Sequence, residues 1–213
     1  TFASSIRARR SSVARLKRAC CAFALALPLA NAALLAAPAA AQTTQAPSAP
    51  TQLPDVARPS HYAISLTPDA AKMRFDATVR IDLDVLKPTK TLTLNALERR
   101  LASARIVGGA KASIALNSDA QTATLTFPAV LQPGKLSLEI AYSGIINTQA
   151  NGLFALDYTD MDGKAARALF TQFEPADARR LVPSWDEPAY KATFDLTAIV
   201  PKGQMAVGNM PVA

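Results

Sequence analysis

The chain has 213 residues and a formal charge of +7, from 23 basic and 16 acidic side chains, with one histidine and two cysteines. Six of the basic residues and both cysteines fall before Gln42, so the remainder is nearly neutral and free of cysteine. That excludes a nucleic-acid role built on a basic stripe and a disulfide framework.

The N-terminal segment has the three parts of a secretory leader. Arg7, Arg9, Arg10, Arg15, Lys17 and Arg18 form a basic region, residues 19–37 are apolar and rich in Ala and Leu, and Ala39-Ala40-Ala41 offers a small-residue cleavage site before Gln42. Residues 1–41 therefore read as a signal peptide. A membrane anchor of about 18 apolar residues is the rival, and the abundance of alanine beside a clean processing site decides against it. Arg9-Arg10 lacks the hydrophobic pair that a twin-arginine signal needs. The expectation is an exported protein, periplasmic or secreted, with no membrane attachment once the leader is removed. Pro47, Pro50, Pro54 and Pro59 follow, and proline at this density favours an extended, solvated tether. Residues 42–57 read as that linker and 58–213 as the folded domain. Thr1 is not a methionine, which leads to the expectation of a piece of a longer polypeptide.

Beyond Ser60 the dominant period is two. Phe75, Ala77, Val79, Ile81, Leu83 and Val85 alternate with Asp76, Thr78, Arg80, Asp82 and Asp84, as a strand with one wet face requires. Tyr62, Ile64 and Leu66 repeat the pattern, as do Ala123, Leu125 and Phe127, and Leu136, Leu138, Ile140 and Tyr142. Leu92 and Leu94 mark a short strand. Pro68-Asp69, Lys87-Pro88, Gly108-Gly109, Asn117-Ser118-Asp119 and Pro133-Gly134 punctuate them as turns. Further on, 153–158 and 165–173 flank Met161-Asp162-Gly163, a hairpin with Asp-Gly at its tip. Residues 193–200 alternate again, with Phe194, Leu196, Ala198 and Val200 on one side, and 206–209 read as the start of one more strand. The fold class predicted is all-β: an antiparallel, sandwich-like or strongly curved sheet.

The densest run of chemistry is 171–195. Alternation places Phe170, Gln172 and Glu174 on one face, so an amide and a carboxylate face the same way beside Pro175, an arrangement that binds a cation directionally. Residues 176–180 form a short helical turn, and a second turn starts near Ser184 or Asp186. Asp177, Arg179, Arg180, Asp186 and Glu187 read as caps and ion pairs, and Trp185 as core. His61 stands at the start of the first strand with no ligand partner at a metal-binding interval, so the chain builds no zinc site of its own. No nucleophile elbow and no phosphate loop occur.

The run T-Q-F-E-P-A-D-A-R-R-L-V-P-S-W-D-E-P-A-Y-K-A-T-F-D closely resembles the N-terminal domain of the M1 family of zinc aminopeptidases, the family of aminopeptidase N. Arg58-Pro59-Ser60-His61-Tyr62 and Gly208-Asn209-Met210-Pro211 extend the resemblance to the whole of 58–213. It implies a saddle-shaped β domain, with short helical turns, packed on a thermolysin-like catalytic domain. By position, Glu174 matches the acid that holds the substrate's free α-amino group, and Gln172 the neighbour that lines the first side-chain pocket. A peptide amino terminus is largely protonated near neutral pH, so a fixed carboxylate selects chain ends. Ser184 stands where the family often has cysteine. The family's G-x-M-E-N motif, its H-E-x-x-H zinc ligands with the later glutamate, and its catalytic tyrosine do not occur here. The resemblance therefore implies zinc held outside this chain, no catalytic or metal-ligating residue within it, and an inactive fragment. The partners implied are peptide amino termini and the catalytic domain of the same polypeptide. The alternative is a non-catalytic, M1-like peptide-binding or scaffold module.

Overall fold

A computed structural model describes residues 52–209 and residue 211, all within one unit, Gln45–Ala213. The signal-peptide reading of 1–41 and most of the linker lie outside the described residues. Of the remainder of 42–57, Leu53 is buried, and Ala57 already opens the first strand.

Ten strands follow in chain order: β1 (Ala57–Asp69), β2 (Arg74–Val85), β3 (Thr89–Asn95), β4 (Arg99–Ile106), β5 (Ser113–Asn117), β6 (Thr122–Leu131), β7 (Gly134–Ile145), β8 (Gly152–Thr159), β9 (Ala165–Gln172) and β10 (Thr193–Ala198). One short 3-10 turn, Ala178–Arg180, separates the last two. The strands form a five-stranded sheet in the order β10-β1-β2-β7-β4, a three-stranded sheet β3-β6-β5, and the two-stranded hairpin β8-β9.

The alternation in β2 does what its period requires. Phe75, Ala77, Val79, Ile81, Leu83 and Val85 are all buried, and the polar residues between them face outward. β2 pairs with β1 and with β7, in unbroken register with the latter from Arg74 opposite Ile145 to Val85 opposite Gly134. Leu138, Ile140 and Tyr142 of β7 continue the apolar face, and Leu92, Leu94, Leu125 and Phe127 bring the three-stranded sheet to the same core.

The structure corrects three expectations. The five-stranded sheet is mixed, because β10 runs parallel to β1, from His61 opposite Thr193 to Leu66 opposite Ala198. Periodicity reports faces and not direction, and a parallel neighbour requires only a long crossover, here the stretch between β1 and β10. Residues 206–209 form no strand among the described residues. The second helical turn is a single reverse turn, with Tyr190 N–H donating to the Glu187 carbonyl at 3.0 Å. Two strands, β4 and β5, were not anticipated, because they carry no clear alternation: β4 turns Arg99 inward, and β5 has only Ile114 half-buried.

Candidate functional site

The β8–β9 hairpin places the site. Its tip is closed by Asp160, whose carboxylate accepts the N–H groups of Asp162 at 2.9 Å and Lys164 at 2.8 Å. Gly163 takes a positive φ of 79° there, a conformation open to glycine without strain. Arg167 and Asp157, paired across the strands, meet at 2.6 Å, and that guanidinium holds the Asp157 carboxyl below its usual range. At the open end β9 stops at Gln172, opposite Gly152.

Glu174 thus lies past the strand, and strand alternation is not what brings it to Gln172. The Gln172 side chain folds back, and its Oε1 accepts the backbone N–H of Phe173 at 2.8 Å and of Glu174 at 3.2 Å. Two donors converging on that atom fix it as the amide oxygen, leaving the NH₂ as the free end. Gln172 in this conformation offers a donor outward, suited to a carbonyl or carboxylate, while Glu174 offers an exposed carboxylate. None of the ion pairs among the described residues engages Glu174. The Glu174–Pro175 peptide is cis.

Beyond the turn the chain is laced to the core. Asp177 N–H donates to the Phe173 carbonyl at 2.8 Å. Arg179 reaches Asp186 at 2.8 Å and Gln121 at 3.1 Å; Arg180 reaches Asp177 at 2.7 Å and also pairs with Glu98. Ser184 and Asn95 exchange backbone hydrogen bonds, and the backbone N–H of buried Trp185 donates to the Tyr62 hydroxyl at 3.1 Å. Local pairing and core packing therefore account for Asp177, Arg179, Arg180, Asp186 and Trp185. Glu187 accepts the N–H of Leu53.

His61 sits apart from this corner. Its Nδ1 meets Thr193 Oγ1 at 2.7 Å and its Nε2 lies 3.4 Å from Asp195, which ties β1 to the edge strand β10. Among the described residues no three His, Cys, Asp or Glu side chains are gathered to hold a metal ion, so the donor set zinc requires is not assembled by them. Sequence reasoning missed Asn95, Glu98 and Gly152. Each sits in or beside a loop, where periodicity carries no signal.

These features define an all-β domain that presents a carboxylate, unpaired among the described residues, where a hairpin opens. The chain belongs to the M1 peptidase family: the model of the Peptidase M1 N-terminal domain matches residues 58–213. It is 44% identical over 184 residues to an aminopeptidase N of Acetobacter pasteurianus, covering 86% of this chain and 52% of that protein. It is 36% identical over 169 residues to aminopeptidase M1 of Arabidopsis thaliana, covering 76% of this chain and 19% of the relative. A puromycin-sensitive aminopeptidase of Caenorhabditis elegans is 33% identical over 166 residues, with 76% and 18% covered. The chain thus spans about half the length of the first relative and about a fifth of the others.

Proposed function

We propose that this chain is the substrate-anchoring N-terminal part of an exported zinc aminopeptidase, a saddle-shaped domain that meets a catalytic domain of the same polypeptide. The observation that carries the reading is the exposed Glu174 carboxylate at the open end of β8–β9, on a residue whose backbone N–H is held by Gln172 and whose side chain has no cationic partner among the described residues. A free α-amino group, protonated below its pKa of about 8, is the cation that such a carboxylate takes. Gln172, with its amide NH₂ outward, lines the neighbouring pocket. Zinc supplies Lewis-acid activation from ligands outside this chain; the part played by the described residues is to bind and orient the peptide end. The localisation rests on the leader-like composition of 1–41.

The test is Glu174→Gln in the full-length polypeptide, assayed with aminoacyl reporters. Loss of a charge-assisted bond of about 1.5–3 kcal/mol lowers kcat/KM by about 10- to 100-fold. Unchanged kinetics would refute the anchor. Residues 1–213 alone are expected to show no turnover, and measurable hydrolysis by the purified chain would overturn the assignment of catalysis to a separate domain.

A further inference from the structure

We propose that Arg180 is a positioning residue, which braces the turn carrying Glu174 by spanning Asp177 and Glu98 and so sets the affinity for the substrate's amino terminus. The inference rests on the reading of Glu174 given above.

The need for a brace follows from the end of β9. Past Gln172 the chain leaves the hairpin ladder, so residues 173–177 are placed by whatever hydrogen bonds they find elsewhere. The Gln172 amide holds the near end of the turn, and the Asp177 N–H closes it onto Phe173. That fixes the shape of the turn and not its position on the domain.

Arg180 supplies the position. Its Nε donates to Asp177 Oδ1 at 2.7 Å, its backbone N–H donates to the Asp177 carbonyl at 3.0 Å, and the other arm of the guanidinium pairs with Glu98. Glu98 lies between β3 and β4 at a positive φ of 57°, a conformation that a non-glycine residue keeps only where its surroundings hold it. One planar fork therefore joins the turn to the framework through two carboxylates, the geometry for which arginine is suited and lysine is not.

The space for this side chain is also specified. Gly152, the partner of Gln172 across the hairpin, has φ +60°, and a Cβ there would lie 2.6 Å from the Cβ of Arg180. The stem of Arg180 thus occupies the place of a side chain beside Gln172 while its head holds Asp177 on the far side of Glu174. Both ends of the segment are referred to one residue. The same guanidinium engages both Asp177 and Glu98 in ion pairs, so the carboxylate of this turn left without a cationic partner among the described residues is Glu174.

The experiment uses the full-length polypeptide with Glu98→Gln, Arg180→Lys, Arg180→Ala and Glu174→Gln. Hydrogen exchange is read across 173–177 and KM and kcat are measured with aminoacyl reporters. Glu98→Gln is the mild variant, chosen in case loss of Arg180 prevents folding. It is expected to speed exchange in 173–177 about tenfold, with β2 and β7 unchanged. KM should rise by about three- to tenfold with kcat within about twofold, and Arg180→Lys should fall between wild type and Arg180→Ala. In the Glu174→Gln background, Glu98→Gln should add little to KM, as two changes acting through one contact do.

Unchanged exchange in 173–177 overturns the brace. So does an exchange response without a KM response in an enzyme whose KM does depend on Glu174, or a Glu98→Gln effect that persists in full without Glu174. If Glu174→Gln itself leaves KM unchanged, the anchor reading fails, and with it the positioning role. Exchange then reports a brace that is purely structural.

Discussion

Arg99 is a charged residue in the wrong solvent. Phe75, Gly144 and Arg99 are neighbours across β2, β7 and β4, and Gly144 leaves its place in that row bare. A Cβ on Gly144 would come 2.1 Å from the Arg99 guanidinium and 2.5 Å from the Phe75 ring. Arg99 uses the gap to lay its guanidinium 4.9 Å from the Phe75 centroid and 5.9 Å from that of Tyr142. Its three side-chain nitrogens are buried with no hydrogen-bond partner among the described residues, and burial pushes the group down to about 9. Ring contacts return about 2 kcal/mol when desolvated, less than the several kcal/mol that an uncompensated buried charge costs. Arg99→Met, which keeps the stem and removes the charge, is therefore expected to raise stability by about 1–3 kcal/mol in urea unfolding at pH 7. The gain should shrink between pH 9 and the ordinary arginine range, because there the wild-type group sheds its proton more readily folded than unfolded. A destabilised Arg99→Met protein would show that the ring contacts outweigh the burial. None of this was legible in the sequence, where Arg99 and Gly144 lie outside the alternating runs that mark the strands.

At the scale of elements, strands with one buried and one wet face were legible. β2, β7, β1, β6 and the Asp-Gly hairpin β8–β9 declare themselves by period two and turn chemistry. β10 shows its alternation, yet Phe194 and Leu196 on its apolar side are exposed in this chain. Of the candidate site, Gln172 and Glu174 were singled out by the resemblance, but how they meet was not legible. It depends on a side chain bonding to its own following backbone after the strand has ended, which alternation cannot report. The tie that docks the 177–186 segment was equally hidden. Asn95, at the end of β3, is buried, exchanges backbone bonds with Ser184 at 2.7 and 3.0 Å, and accepts the Asp186 N–H on its Oδ1 at 3.1 Å. Asn95→Ala leaves that donor without its partner and should cost about 1–3 kcal/mol. Trp185, the single tryptophan of the chain, lies in the segment released, so acrylamide quenching of its fluorescence should rise in the variant. Asn117→Ala, at an exposed turn where Oδ1 accepts only the Ala120 N–H, is the control expected to leave both stability and quenching nearly unchanged. Equal quenching in the two variants would refute the docking role of Asn95.

For the whole molecule, the five-stranded sheet couples three buried ionisable groups whose pH dependences oppose one another. Burial raises the phenol of Tyr62 on β1 and that of Tyr142 on β7 above the usual tyrosine range, and lowers Arg99 on β4. The unfolded tyrosines lose protons above about pH 10 while the folded ones keep them, so their stabilisation is complete below that pH and lost as it rises. Folded Arg99 releases its proton from about pH 9 while the unfolded group retains it, so its cost is full below that pH and declines above it. Each fully displaced group contributes a slope of about 1.4 kcal/mol per pH unit. Between pH 9 and 10 the arginine acts almost alone and stability climbs; above 10 two tyrosines outweigh one arginine and it falls. Since all three belong to one sheet, the fall should appear as cooperative unfolding of the domain and not as local fraying. Urea midpoints measured from pH 7 to 11 should therefore pass through a maximum near pH 10. In Arg99→Met the climb should be absent and the decline above pH 10 steeper, by one proton's worth of slope. A monotonic fall from pH 8 in the wild type would mean that Arg99 keeps its charge in the folded sheet, held there by the faces of Phe75 and Tyr142.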